Sequence, residues 1–249
     1  MTLRIGMLTP SSNTVLEPLT AAMLAETPGM TAHFARIRVV AINLGADSRA
    51  QFDPAPLVEA AALLADAKVQ AIVWNGTSGS WLGLEQDRRI CAAITAETGI
   101  PATTATLALM DAFALLEAKR VALVTPYLAE VQRAIVAQLG ALSLDCVAER
   151  HLEDPGNYSF ADHGEATVAR LVREVAAARP QAIAIHCTNF RGGAPAPALE
   201  AELGIPVLDS VAVSLWGGIR IAGADPGPLR RWGRVFGLGA SAGGGAALA

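Results

Sequence analysis

Short, wholly apolar runs alternate along the chain with longer stretches whose apolar positions recur at helical spacing. Strands are predicted over 3–9, 31–40, 70–75, 120–125, 143–150 and 181–186, with short strands after Pro101 and near 206–208. Helices are predicted over 15–26, from Pro54 to Ala67, over 83–98 and on to about 118, then over 127–140, 163–178, 196–203 and near 210–222. Punctuation agrees with the periods. Ser11, Ser12, Asn13 and Thr14 can cap the first helix, Pro54 and Pro56 suit a helix start, and Gly99 before Pro101 suits a helix end. Strands that alternate with helices imply parallel sheets covered on both faces, an α/β fold.

The pattern also repeats. Residues 71–78 and 182–189 are both apolar runs that break into a Thr-containing polar turn. Upstream, Arg4–Pro10 matches Arg120–Pro126; downstream, Ala96–Pro101 matches Ala201–Pro206. These three anchors lie 116, 111 and 105 residues apart, a slow drift that loops of unequal length produce. The chain therefore reads as two similar halves, 1–115 and 116–222, each long enough for a four-stranded parallel sheet. Residues 223–240 are free to pack back on the first half, and the Gly/Ala-rich 241–249 reads as a flexible tail. Ligands in such folds collect at the carboxyl ends of strands, so the related halves would face a shared cleft.

Composition narrows the function. With 249 residues, 52% of them hydrophobic, the chain can bury proper cores. A net charge of −4 without a basic cluster speaks against nucleic acid, and no apolar run reaches membrane-span length. Cys91, Cys146 and Cys187 form neither a disulfide framework nor a metal spacing. The start, Met1 to Gly6, enters a strand at once without a signal-peptide shape, so a cytoplasmic protein with reduced thiols is expected. The sequence leaves room for a homo-oligomer.

The candidate chemistry sits at the two repeated turns. The second carries Cys187, followed by Thr188, Asn189 and an Arg191-Gly192-Gly193 loop; the first carries Gly76 at the matching position, followed by Thr77 and Ser78. A random cysteine is best read as a buried apolar group, and Cys91 and Cys146 keep that reading. Position at the turn turns the odds for Cys187. His186 is adjacent, but neighbours on a strand point to opposite faces, so the two are not paired as base and nucleophile. His33, His151 and His163 read as surface or capping groups. Polar side chains at strand ends usually cap helices and make turns. Several that converge can also act as neutral donors around a small carboxylate, helped by backbone N–H groups at helix starts. Tyr127, at the repeat equivalent of Ser11 and expected to begin a helix, would add a phenolic donor. Asn157, in the long loop 151–162, has the least physical support. No dinucleotide or phosphate-loop fingerprint occurs, and Lys68 and Lys119, the chain's two lysines, lie far from the polar ends. No cofactor and no metal are expected.

Together, the duplicated halves with Gly76-Thr77-Ser78 and Cys187-Thr188-Asn189 at matching turns resemble the aspartate/glutamate/hydantoin racemase superfamily, over nearly the whole chain to about Gly239. The resemblance implies two four-stranded parallel sheets, an interdomain cleft, and cofactor-independent proton transfer next to a carboxylate. Two-base members carry a cysteine at each turn; this chain departs from them at Gly76. It is similar to the arylmalonate decarboxylases in that glycine and in the single cysteine. In that branch Thr77, Ser78 and a tyrosine like Tyr127 would hold a carboxylate as its enediolate develops. It is similar to the maleate cis-trans isomerases in Pro10, Ser11, Ser12, Asn13 and Thr14, with Tyr127 and Asn157 as carboxylate binders, but those use a first-turn cysteine as nucleophile.

The expectation is a cofactor-free carboxy-lyase acting on a malonate-like dicarboxylate. Cys187 would protonate one face of the enediolate, with Gly76 opposite leaving room for a substituent. Pro10, Ser11, Asn13, Gly76, Thr77, Ser78, Tyr127, Asn157, Thr188 and Asn189 would bind substrate. The alternatives are an isomerase or racemase that replaces the first cysteine's chemistry, and a non-catalytic carboxylate-binding protein.

Overall fold

In a computed structural model of the protein, residues 2–40, 42, 44 and 53–239 are described. Gly45, Asp47 and Phe52, and the expected tail 241–249, lie outside them. The elements run β1 Leu3–Pro10, α1 Leu16–Leu24, β2 Met30–Ile37, α2 Pro54–Asp66, β3 Ala71–Trp74, α3 Gly79–Leu82, α4 Leu84–Thr98, β4 Ala102–Thr104 and α5 Ala105–Leu115. The second half follows with β5 Arg120–Thr125, α6 Ala129–Ala141, β6 Asp145–His151, α7 Glu165–Ala176, β7 Ala182–Ile185, α8 Ala196–Leu203, β8 Val207–Asp209 and α9 Ser210–Ile221. Two four-stranded parallel sheets result, in the orders β2-β1-β3-β4 and β6-β5-β7-β8.

The same local rules operate in both halves. Every residue of β3 and β7 is buried, as a parallel strand covered on both faces must be. In α7, Val168, Leu171, Val172 and Val175 form one buried stripe at helical spacing. The repeated Gly-Ile-Pro ends α4 and α8 identically: Gly99 (φ 69°) and Gly204 (φ 71°) adopt the left-handed conformation, and their N–H groups bond back to Thr95 and Glu200.

The halves are not independent in space. α9 belongs to the second half in sequence, yet it packs on β3, β4 and α5. A Cβ on Gly218 would come within 2.7 Å of Val73 and 3.0 Å of Ile5, and one on Gly217 within 2.6 Å of the Ala108 methyl. These glycines let α9 approach the first sheet and α5 at once, which is why it is apolar all round. In turn, Leu109, Met110 and Phe113 of α5 share a cavity wall with Val121, Ala122 and Leu123 of β5. α9 thus covers the first half's sheet, while α5 meets the second half across that cavity. Residues 223–239 run across both halves, with Arg231 paired to Glu26 just beyond α1 and Arg234 bonded to Glu200 and Gly204 at the end of α8.

Register brings the carboxyl ends together. Leu8, Trp74 and Thr104 are level across the first sheet, and Val124, Ile185 and Asp209 across the second. The polar turns leave from these rows.

Candidate active site

Two loops start one residue beyond the central strands: Asn75 to Ser78 after β3, and His186 to Asn189 after β7. They are joined directly, since Thr188 Oγ1 donates to the Asn75 carbonyl at 2.8 Å and accepts from Asn13 Nδ2 at 3.0 Å. Asn13 Oδ1 takes the N–H groups of Val15 and Leu16 at 3.0 and 2.9 Å at the start of α1, whose cap position is Val15. Asn189 Oδ1 accepts from the Thr14 N–H at 2.9 Å, and its Nδ2 donates to the Asn157 carbonyl at 2.7 Å. Asn157 in turn donates to the Val39 carbonyl at 3.1 Å. Its loop is braced by Asp154, which takes hydrogen bonds from the Gly156 N–H and Ser159 and pairs with His163 at 2.8 Å.

These bonds frame a small pocket between the halves, lined by Pro10, Asn13, Gly76, Thr77, Ser78, Tyr127, Asn157, Cys187, Thr188 and Asn189. Of the candidate residues, Ser11 stands apart. Its hydroxyl accepts from the Val39 N–H at 3.2 Å and holds that lining residue in place from behind. Tyr127 does not begin a helix as expected; α6 starts at Ala129, and Tyr127 lies in the preceding bend. There it is wedged edge-to-face between Trp81 and Phe160, with ring centroids 5.5 and 5.4 Å away.

No charged side chain lines the pocket among the described residues. Tyr127 Oη lies 2.7 Å from Thr77 Oγ1 and beside the Cys187 thiol, so the two turns meet at the phenol. Burial pushes the Cys187 thiol up to about 12, against the opposing Tyr127 and Asn189 hydrogen bonds, so Cys187 is a neutral acid at physiological pH. Burial also raises Tyr127 well above its ordinary range. His186 faces the α5 cavity rather than this pocket, and burial lowers it to about 4. It is neutral and turned away from Cys187, as strand alternation requires. His163 and His151, read as surface or capping groups, both pair with carboxylates: His163 with Asp154, and His151 with Glu149 and Glu153.

The polar candidates divide into two sets. Asn13, Thr188 and Asn189 use their side chains to tie loops together. Ser78 Oγ is buried without a partner among the described residues, and Thr77 and Tyr127 share one bond between two hydroxyls. That second set has donors left for a ligand.

Sequence reasoning passed over Val39, Ile42, Trp74, Asn75 and Trp81, which also line the pocket. The room expected beside Gly76 is absent. A Cβ there would stand 2.3 Å from Trp74 Cε2 and 2.4 Å from Cζ2, so the indole already fills that space. Trp74 and Trp81, two of the chain's four tryptophans, flank the first turn, which was the readable signal.

The arylmalonate decarboxylase family model matches residues 14–236. The chain belongs to this family. It is 30% identical over 164 residues to arylmalonate decarboxylase of Bordetella bronchiseptica, covering 65% of this chain and 68% of that one. It is 26% identical over 227 residues to maleate isomerase of Geobacillus stearothermophilus, covering 86% and 89%. Among solved structures, a mutant of Nocardia farcinica maleate cis-trans isomerase with a covalently bound succinylcysteine intermediate superposes with a TM-score of 0.85 at 24% identity, over 95% of this chain and 98% of that one. A crystal structure of arylmalonate decarboxylase superposes with a TM-score of 0.73 at 27% identity, over 94% and 99%. The two-sheet fold and the expected superfamily agree with these relatives, which are enzymes of both kinds, decarboxylase and isomerase. No helix among the described residues is long and apolar enough to cross a membrane.

Proposed function

We propose that the protein decarboxylates a malonate-like dicarboxylate without a cofactor and protonates the product carbon from one face. The observation that carries this reading is the lone neutral thiol. Cys187 is buried and uncharged, and the matching position across the pocket, Gly76, has no side chain at all.

The substrate's retained carboxylate would meet Ser78 Oγ, the Thr77–Tyr127 hydroxyl pair and nearby backbone N–H groups. When the bond to the other carboxyl group breaks, CO2 leaves and the electron pair stays on the α-carbon, delocalised into the retained carboxylate as an enediolate. Donors already aimed at those oxygens stabilise the charge without reorganising. The departing carboxylate would lie against the apolar wall of Val39 and Ile42, where loss of its hydration favours release of neutral CO2. The Cys187 S–H proton then moves to the carbanionic carbon. The thiolate left behind accepts the Tyr127 hydrogen bond and regains its proton from solvent. A thiol near pKa 12 holds its proton until so basic a carbon appears.

Maleate isomerisation is the second reading. It is favoured by the longer stretch over which maleate isomerases align and by the shared Pro10–Thr14 loop. A nucleophile would then have to add to the double bond, and one thiol would have to do this alone. Incubation with malonate, phenylmalonate and maleate in heavy water separates the two. Decarboxylation releases CO2 and leaves one deuteron at a single face of the α-carbon. Fumarate formed from maleate, with no CO2 from either malonate, would overturn the decarboxylase reading.

A further inference from the structure

Trp74 ends β3 at the position that Ile185 holds at the end of β7. It is completely buried and lines the pocket, although the adjacent strand positions are filled by aliphatic side chains. Three atoms of its ring edge, Cε2, Cζ2 and Nε1, lie 2.3, 2.4 and 2.5 Å from where a Gly76 Cβ would stand. The indole therefore takes the first turn's side-chain space, the counterpart of the space from which Cys187 projects at the second turn. Glycine at 76 is required by this ring.

Independently, Trp74 Nε1 is buried and has no hydrogen-bond partner among the described residues. Buried indole N–H groups are normally satisfied, because leaving one unmade carries the full desolvation penalty. Ser78 Oγ, on the same turn and lining the same pocket, is orphaned in the same way. Two unsatisfied donors on one wall of a pocket that no charged side chain lines among the described residues form a site built for an acceptor with more than one oxygen.

We propose that the Trp74 indole N–H donates a hydrogen bond to a carboxylate oxygen of the bound substrate, alongside Ser78, and that its ring seals the face opposite Cys187. This rests on the carboxylate-binding reading above and adds a donor to it. The chemistry suits the position. An indole N–H is far too weak an acid to release its proton, so it can stabilise an enediolate without protonating it. A thiol in that space would offer a second proton source. Trp74 thus strengthens binding at the first turn while proton delivery stays with Cys187.

The test uses the full chain labelled with nitrogen-15, whose four tryptophans give four indole resonances. The Trp74 resonance is the one lost in Trp74→Phe, or the one left after single replacement of Trp81, Trp216 and Trp232 should that variant fail to fold. The probes are succinate and phenylacetate, carboxylates with no labile carboxyl group and no isomerisable double bond. The expected result is a saturable downfield shift of the Trp74 indole proton with at least one probe. Trp74→Phe, which keeps an apolar ring and loses the N–H, should bind that probe about 10- to 100-fold more weakly, as loss of one hydrogen bond to a charged group implies. If the backbone amides of residues 76–78 shift at saturation while the Trp74 indole does not, the inference is overturned and the carboxylate site stands. The same follows if Trp74→Phe binds as tightly as the wild type. If neither probe moves any of these signals, the carboxylate reading itself falls, and this inference with it.

Discussion

At the end of β7 an isoleucine leads to a buried histidine and then a thiol; at the end of β3 a tryptophan leads to an asparagine and then no side chain. The surroundings of the two turns are otherwise alike. Each follows a fully buried parallel strand, each places a threonine next, and Thr188 of one bonds the backbone of the other. The difference teaches that two residues, one at the strand end and one in the turn, suffice to make a duplicated site asymmetric. Filling the first turn with an indole from the strand removes the need, and the space, for a side chain in the turn itself. In the proposed reaction one turn supplies the acid and the other a neutral donor wall.

Removing the acid should have the largest effect. Cys187→Ala is expected to retain at most a few per cent of turnover, with succinate binding little changed, because no other acidic side chain lines the pocket among the described residues. Assays beside a binding titration check this, and substantial residual turnover would take Cys187 out of the mechanism.

Making the turns alike comes next. Gly76→Cys alone should cost about 1–3 kcal/mol of stability, the usual range for overpacking, because its Cβ lands on the indole. Trp74→Ile/Gly76→Cys copies the Ile185/Cys187 pair and should cost less than the two single changes combined. With thiols on both faces, this double variant should racemise the α-proton of a chiral product that the wild type leaves untouched. Denaturant titration and chiral chromatography in heavy water read the two effects. Additive stabilities would mean that Trp74 and Gly76 do not compete for space.

Tyr127 spans both turns, so its hydroxyl should matter to whichever one holds the developing charge. Tyr127→Phe is expected to slow turnover about 10- to 100-fold, somewhat below the loss of a dedicated oxyanion donor, since Thr77 remains. An unchanged rate would reduce the tyrosine to a packing group between Trp81 and Phe160.

A smaller signature lies in the pH profile. An ordinary thiol loses its proton near pH 8.5. Burial raises Cys187 to about 12, so the proton-donating form persists and the decarboxylation rate should stay level through pH 9. A decline centred near 8.5 would show that the thiol is solvated during turnover.

The smallest effect concerns the acid buried under each turn. Asp87, hydrogen-bonded by Thr104 beneath the first, and Asp209, capping α9 beneath the second, are both raised by burial from 3.8 to about 7. The folded state therefore holds these protons more tightly than the unfolded chain. Their contribution to stability is complete below about pH 4 and is lost as pH rises through 7. Asp87→Asn should lose less stability than the wild type between pH 5 and pH 8 in urea titrations, and equal losses would mean that Asp87 titrates normally.

Much of this was legible in the sequence because it depends on local period. The apolar runs ending at Trp74 and Ile185 had to be strands, and Gly99 and Gly204 had to end helices, since only glycine adopts that conformation cheaply. The repeat extended those readings to two matching sheets. The turns then placed ten of the eleven candidate residues around one pocket. Ser11 was misjudged because its distance from Cys187 along the chain says nothing of which way its hydroxyl points; it faces Val39.

Other features have no local signature. The apolar pattern of 210–222 shows that the helix is buried but not against what, and Gly217 and Gly218 acquire meaning only when Ala108, Val73 and Ile5 stand beside them. Nothing in the spacing of Asn13, Thr188 and Asn189 says that their amides and hydroxyl are taken up by bonds across the halves. Ser78 and Asn189 look alike as turn residues, yet only Ser78 keeps a donor free.

The sequence by itself determined the elements, the duplication and the position of the single thiol at a turn, because each follows from side-chain type and spacing along one strand or helix. Only the tertiary structure decided which helix covers which sheet and which polar groups remain unsatisfied, and that Trp74 fills the place of a Gly76 side chain. Those outcomes depend on the competition of distant groups for the same volume and the same hydrogen bonds, and that competition exists only once both halves are packed.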